Sequence, residues 1–291
     1  MGAFKLVVPK NTLWSYFYLK SKEDWRLKQL FDYLRHHKIK VFIDSGAFSL
    51  FGSQKKETFR ENWEQALHFT RDFILFLEKW WDYIDCFAEM DLDTIIGYEK
   101  VLELRNMFPK KMRSKMMPVF HPETRDFKIW QQECNDFPYV ALGSCAKGNS
   151  DFYYQEKLNY SHKIGTKVHG FALVNTDILA KFPFYSADSS SWLAANRWGS
   201  VFLFDKNTGG ISAYRYNAQG QKLSSHFEKL LKANRHNIGF DISSIMDKTS
   251  RSKNNKYVSR VNRLAVAVNA YMQLEEYLTN LWGARGLKFT N

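Results

Sequence analysis

The stretch Lys40-Val41-Phe42-Ile43-Asp44-Ser45-Gly46-Ala47-Phe48 runs from an apolar, β-favouring segment straight into a polar turn. A run this short, closed by Ser and Gly, reads as a buried strand with a carboxylate at its carboxyl end. The pattern recurs at Phe4 to Val8, Ile84 to Met90, Met116 to His121, Tyr139 to Gly143, Lys167 to Leu173, Phe184 to Asp188 and Ser200 to Phe204. Between the runs, apolar residues return at helical spacing: Trp25, Leu27, Leu30, Phe31 and Leu34, then Trp63, Leu67, Phe73, Leu75 and Leu77, then Tyr98, Val101, Leu102 and Leu104. Short strands alternating with helices predict an α/β fold of the (β/α)8 TIM-barrel type. A doubly wound open sheet is the competing arrangement, but no G-x-G-x-x-G follows the first strand to support a dinucleotide fold.

After Phe204 the pattern changes. Residues 205–225 are polar, with Gly209, Gly210 and Gly220 around an alternating Ile211, Tyr214 and Tyr216, and read as a hairpin. Two helices follow, near His226 to Asn234 and Tyr257 to Leu281, the second amphipathic through Val258, Val261, Leu264, Val268, Tyr271, Leu274 and Leu278. The expected organisation is a barrel core over 1–205, with a hairpin and C-terminal helices over 206–291 packed on it as one domain.

The 291 residues carry 42 Lys and Arg against 30 Asp and Glu, a formal charge of +12. Such an excess attracts phosphate backbones and releases their counterions, so a polyanionic partner is expected. With 45% hydrophobic and 16% aromatic residues, and only 6 Pro and 15 Gly, the composition excludes disorder and collagen-like repeats. The densest apolar stretch, Phe73 to Trp81, is broken by Glu78 and Lys79, so no membrane span is expected. Met1 to Lys10 shows no export or myristoylation signal, and Cys86, Cys134 and Cys145 form no C-x-x-C pair. Both features point to a reducing, cytoplasmic setting. Oligomeric state is not legible.

In a barrel of this type the carboxyl ends of the strands surround the active site, and here those ends are polar. They read Asp44-Ser45-Gly46-Ala47-Phe48, Glu89-Met90-Asp91-Leu92-Asp93, His121-Pro122-Glu123, Gly143-Ser144-Cys145, His169-Gly170-Phe171 and Asp188-Ser189-Ser190-Ser191-Trp192. Two carboxylates on separate strands, Asp44 and Asp188, suit chemistry through a cationic, oxocarbenium-like sugar centre: one attacks or stabilises C1′ while the other moves a proton to or from the leaving group. His121 and His169 read equally as ligands or proton carriers, or as buried, satisfied histidines. A metal site would need a third convergent ligand that no spacing supplies, so neither metal nor cofactor is expected.

At these residues the chain resembles the tRNA-guanine transglycosylase superfamily, over about Lys40 to Phe204. The family's D-S-G-[GAS]-F motif reads Asp44-Ser45-Gly46-Ala47-Phe48. The later motif, from His169-Gly170-Phe171-Ala172 through Pro183-Phe184-Tyr185-Ser186-Ala187-Asp188 to Trp192, looks most like the compact phage and bacterial branch, which includes DNA 7-deazaguanine transglycosylases. The resemblance implies Asp188 as nucleophile, Asp44 as proton carrier, Phe48 as a stacking face for the base, and Asp91, Gly143 and Ser144 as pocket lining. Phe120 and Trp192 are the further candidate walls, and His121 and His169 also fall in the expected pocket.

Three departures from the family pattern shape the expected function. The zinc-binding C-x-C-x2-C segment and its subdomain are missing, which places DNA ahead of tRNA as substrate. Phe120 stands where the family's V-Q-G-G motif has the Gln that reads guanine. Ser144 and Lys147 change the loop L-G-G-L-A-V-G into Leu142-Gly143-Ser144-Cys145-Ala146-Lys147-Gly148. With the reader lost, the expectation leans narrowly to a DNA glycosylase that excises a modified base and leaves an abasic site, in phage defence or repair. The alternative is exchange of guanine for a 7-deazaguanine base in genome modification. On either reading the DNA is a single strand, or a duplex whose base is flipped into the pocket. Lys147 and the basic run Lys248, Arg251, Lys253 and Lys256 are the expected phosphate contacts. Two further readings are a barrel that only binds nucleic acid and a hydrolase of oligosaccharides, the latter leaving the +12 charge without a use.

Overall fold

The computed structural model describes residues 2–51, 59–143, 150–215, 224–238 and 253–287. The chain divides into two compact units. One, the parallel-sheet unit, comprises Lys10–Leu173 and Phe184–Asp188; the other, the hairpin unit, comprises Met1–Pro9, Val174–Pro183 and Ser189–Asn291. The division expected from sequence, 1–205 against 206–291, differs from this one.

Eight strands of the parallel-sheet unit run in chain order: β1 Asn11–Ser15, β2 Lys40–Asp44, β3 Cys86–Ala88, β4 Met116–Met117, β5 Val119–Phe120, β6 Tyr139–Leu142, β7 Lys167–Gly170 and β8 Ser186–Ala187. They form two four-stranded sheets, β1-β2-β3-β4 and β5-β6-β7-β8, with every pairing parallel. One residue, Pro118, separates β4 from β5, because proline has no N–H to continue a ladder. The carboxylate of Glu89 repairs the gap by accepting the Val119 N–H at 2.9 Å. Strand order therefore follows chain order throughout the described pairings, with none of the reversal that defines a doubly wound sheet. The two sheets share an interior. Ala88, Met117, Val119 and Ala141 form one buried cluster with Phe42, Tyr139 and Phe171 packed against it, and the Phe42 ring on β2 meets His169 on β7 edge-on at 5.1 Å.

Helices follow the strands as the spacing requires. Asp24–His36 buries Leu27, Leu30, Phe31 and Leu34 and leaves Trp25 55% exposed, while Phe59–Lys79 buries Phe69, Phe73, Phe76 and Leu77 and leaves Leu75 outside. Local chemistry sets their ends. Asp126 caps Phe127–Asp136 by accepting from Ile129 N–H at 3.0 Å, and Ser150 caps Asp151–Ile164 by accepting from Tyr153 N–H at 3.2 Å.

Two strand assignments need correction. Phe4 to Val8 is not a strand: residues Ala3–Lys5 form a 3-10 turn that packs on the helix Lys253–Ala284, with Ala3 and Phe4 buried. The first strand is instead Asn11–Ser15, whose polar Asn11, Thr12 and Ser15 hid it. Ser200 to Phe204 is a strand but not a member of the parallel sheet. As β9, Ser200–Asp205, it pairs antiparallel with β10, Gly210–Arg215, in the hairpin unit. Its continuous apolar run imitates a central parallel strand because it is covered on both faces. Val201 and Leu203 pack against Phe227, Leu230 and Leu231 of the helix Ser225–Ile238, and Phe202 and Phe204 against Ala267, Ala270 and Leu274 of Lys253–Ala284. Among the described residues no helix is long and apolar enough to cross a membrane.

Candidate active site

Period-2 alternation and chain order bring Asp44, Glu89, Asp91, Asp93, His121, Gly143, His169 and Asp188 to the carboxyl ends of the parallel strands. Asp44 ends β2, and the turn after it needs Gly46. That residue has φ +73°, and a Cβ there would lie 2.4 Å from the Ser15 Oγ and 2.5 Å from the Phe17 Cβ. The Asp44 carboxyl is pushed up to about 7. Burial is the largest cause and the negative charge of Asp91 the next; Asp188 adds to it, while the Gly46 N–H and the Ser15 hydroxyl pull downward.

This shift fixes a stability prediction. The folded chain holds the Asp44 proton between the ordinary carboxyl value of 3.8 and about 7, whereas the unfolded chain has released it. The associated stability is full below about pH 4 and is lost as pH rises to about 7, a loss of up to roughly 4 kcal/mol. Asp44→Asn, neutral throughout, is expected to flatten that decline in urea unfolding measured across this window. An unchanged pH slope would contradict the assignment.

Asp188 follows β8 and is held on one oxygen. Its Oδ1 accepts the Ala172 N–H at 2.8 Å and lies 3.3 Å from His169 Nε2. Ala172 has φ +52°, a left-handed conformation that costs an alanine on the order of 1 kcal/mol and here directs its N–H at the carboxylate. His169 is buried, edge-on to Phe42 and Phe171. Its Nδ1 lies 2.5 Å from the Ser186 Oγ, which also bonds the Tyr139 hydroxyl. Burial raises the Tyr139 phenol, which therefore stays protonated and can donate. A chain of hydrogen bonds thus runs from Tyr139 through Ser186 to His169 Nδ1 and fixes the ring with Nε2 facing Asp188. His169 is buried and bonded through Nδ1, while its Nε2 has no hydrogen-bond partner among the described residues.

Asp91 and Asp93 follow β3, and His121 follows β5. His121 Nε2 lies 2.5 Å from Asp91 Oδ1 and 3.8 Å from Asp93 Oδ1. Burial alone would lower the His121 pKa, but the hydrogen bond to Asp91 and the charges of Asp91 and Asp93 raise it overall. The ring occupies space left by Gly143, where a Cβ would come within 2.4 Å of it. Asp91, Asp93 and His121 offer one ligand atom each, all within 4.8 Å of one another. The third convergent ligand that the sequence spacing did not supply is thus brought in by the fold.

Behind these groups lies a buried charge network that the sequence reading did not single out. Arg105 donates to Glu89 at 2.6 and 2.9 Å and to Glu133 at 2.6 Å. Arg125 donates to Asp93 at 3.0 Å and to Glu133 at 2.8 Å, with the Tyr98 ring 4.4 Å from its guanidinium. Burial opposes ionisation of Glu89, yet the two arginines hold its carboxyl below the usual range. For Asp93 and Glu133 burial prevails and the carboxyls are raised. A signal was present in the sequence: Arg105 shares the apolar helix face of Val101, and Glu133 that of Trp130.

Other expected site residues are placed elsewhere or lie outside the description. Phe120 is not a pocket wall. With Met117 and Val119 in the interior, alternation turns Phe120 to the opposite face, where it meets Trp130 edge-on at 5.3 Å in the layer beneath the helices. Trp192 belongs to the hairpin unit and packs with its core around Phe202. Ser191 bonds the Tyr271 hydroxyl at 2.6 Å in the same unit. Phe48 lies in the short helix Ala47–Phe51, and Lys253 and Lys256 in the first turns of Lys253–Ala284, but the description does not extend to these three side chains. Ser144, Lys147, Lys248 and Arg251 lie outside the described residues. A cleft of about 560 Å³ opens in the hairpin unit, lined by the amides of Asn269, Gln273 and Asn280 together with Lys206, Glu276 and Tyr277.

No protein-family model and no curated protein sequence matches the chain. The site holds one carboxyl poised to exchange a proton near neutrality, Asp44, and one carboxylate fixed on a single oxygen, Asp188. These are the two roles that a substitution at a sugar carbon requires.

Proposed function

We propose that the parallel-sheet unit closes into a TIM-type barrel and that the protein cleaves the bond between a modified base and deoxyribose in DNA. The observation that supports this reading is the pairing of Asp44, raised to about 7, with Asp188 at the carboxyl ends of sequential parallel strands, one in each four-stranded sheet. A barrel gathers its catalytic groups at those ends. In the reaction the free oxygen of Asp188 attacks C1′, the C1′–N bond breaks with its electron pair going to the base, and Asp44 gives the departing nitrogen its proton. Water then attacks C1′ and releases Asp188, and the Asp44 carboxylate takes up the water's proton. The net change is hydrolysis, leaving a free base and an abasic sugar. The formal charge of +12 favours a polyanionic substrate.

Excision is favoured over exchange because no side-chain amide stands at the described strand ends to read guanine, Phe120 having turned to the helix layer. The test is incubation with DNA carrying candidate modified bases, with and without free 7-deazaguanine precursor. The expected result is released base and an alkali-labile site whether or not precursor is present. Precursor-dependent incorporation into an intact strand would replace excision by exchange. DNA binding with neither product would leave a protein that only binds nucleic acid.

A further inference from the structure

We propose that Asp91, Asp93 and His121 bind one divalent first-row transition-metal ion. The donor set is one imidazole nitrogen and two carboxylate oxygens, drawn from the segments that follow β3 and β5 and gathered within 4.8 Å. Donors around such an ion stand roughly 2.0–2.2 Å from it, so a triad of this span closes on an ion with small side-chain movements.

A second observation points to a ligand. Asp93 is 2% exposed, and its Oδ1, 3.8 Å from His121 Nε2, is a buried oxygen with no hydrogen-bond partner. Its other oxygen is fully used, accepting from the Thr124 hydroxyl at 2.5 Å and from Arg125 Nε at 3.0 Å. The carboxylate is thus locked with one unsatisfied oxygen aimed at the imidazole and Asp91, which is how outer partners hold a metal ligand in place. Gly143 gives the His121 ring its position, since a Cβ there would collide with it. Asp91 is a quarter exposed, so solvent reaches this carboxylate.

The charge balance favours a cation. Among the described residues Arg105 and Arg125 bond Glu89, Asp93 and Glu133, and no arginine or lysine salt bridge reaches Asp91. A divalent ion between His121 Nε2 and Asp91 Oδ1 would replace a single proton there and reduce the repulsion that an approaching phosphate meets.

The probe is Mn²⁺ alone, titrated into chelator-treated full-length protein, with free Mn²⁺ read by electron paramagnetic resonance. One saturable site per chain is expected, weakened at least about 10-fold in both Asp91→Asn and His121→Gln. Asp91→Asn leaves the buried arginine network intact, and thermal unfolding of each variant separates a lost ligand from a lost fold. If one variant does not fold, the other decides. No saturable site in the folded wild type, or unchanged affinity in a folded variant, overturns the proposal. The titration contains no DNA, so its outcome is independent of the glycosidic reading.

Discussion

Asp188→Asn is expected to slow base release by about 10³-fold or more while DNA affinity and unfolding midpoint stay near wild type. The amide is almost isosteric and can still present an oxygen to the Ala172 N–H, so the loop that holds the side chain at 2.8 Å has no reason to rearrange. What is lost is the second oxygen as a nucleophile and the negative charge that faces a developing cation at C1′. The effect should therefore fall on turnover rather than on binding. If affinity and turnover fell together, Asp188 would be a structural residue. If turnover were unchanged, the nucleophile would lie elsewhere. Asp44 supplies an independent mark: as a general acid raised to about 7, it predicts turnover that declines as pH climbs past that value.

The second large effect concerns stability. Arg125→Leu is expected to cost roughly 3–5 kcal/mol, because it leaves Glu89, Asp93 and Glu133 buried around a single remaining guanidinium. The loss should be partly recovered at lower pH. Asp93 and Glu133 are already raised by burial, and without Arg125 they take up protons more readily. Urea unfolding at neutral and mildly acidic pH reads both the loss and its recovery. A cost below about 1 kcal/mol at neutral pH would mean that the network is hydrated and contributes little.

How far the sequence was legible depended on whether the decisive interaction was local. β2 was read with the bounds the structure gives, because Val41, Phe42 and Ile43 meet Ser45 and Gly46 within a few residues. Phe4 to Val8 was misread because the β preference of Val7 and Val8 yields to burial of Ala3 and Phe4 against a helix some 250 residues later. β9 was read as a strand but given to the wrong sheet, since coverage by two helices leaves the same apolar run as coverage by parallel neighbours. At the site, Asp44 and Asp188 could be picked out because a strand end announces itself locally. The partners of Glu89 could not: Arg105 is 16 positions away and Arg125 is 36, and no spacing rule joins them. The direction of Phe120 is legible locally, because an interior Val119 turns its neighbour to the other face.

The most direct test of the central claim is to quantify by mass spectrometry the free base released from modified-base DNA by wild-type protein and by Asp188→Asn. The account predicts release in molar excess over the wild-type protein, and none above background from the variant. Equal release from both, or none from any DNA that the wild-type protein binds, would contradict it.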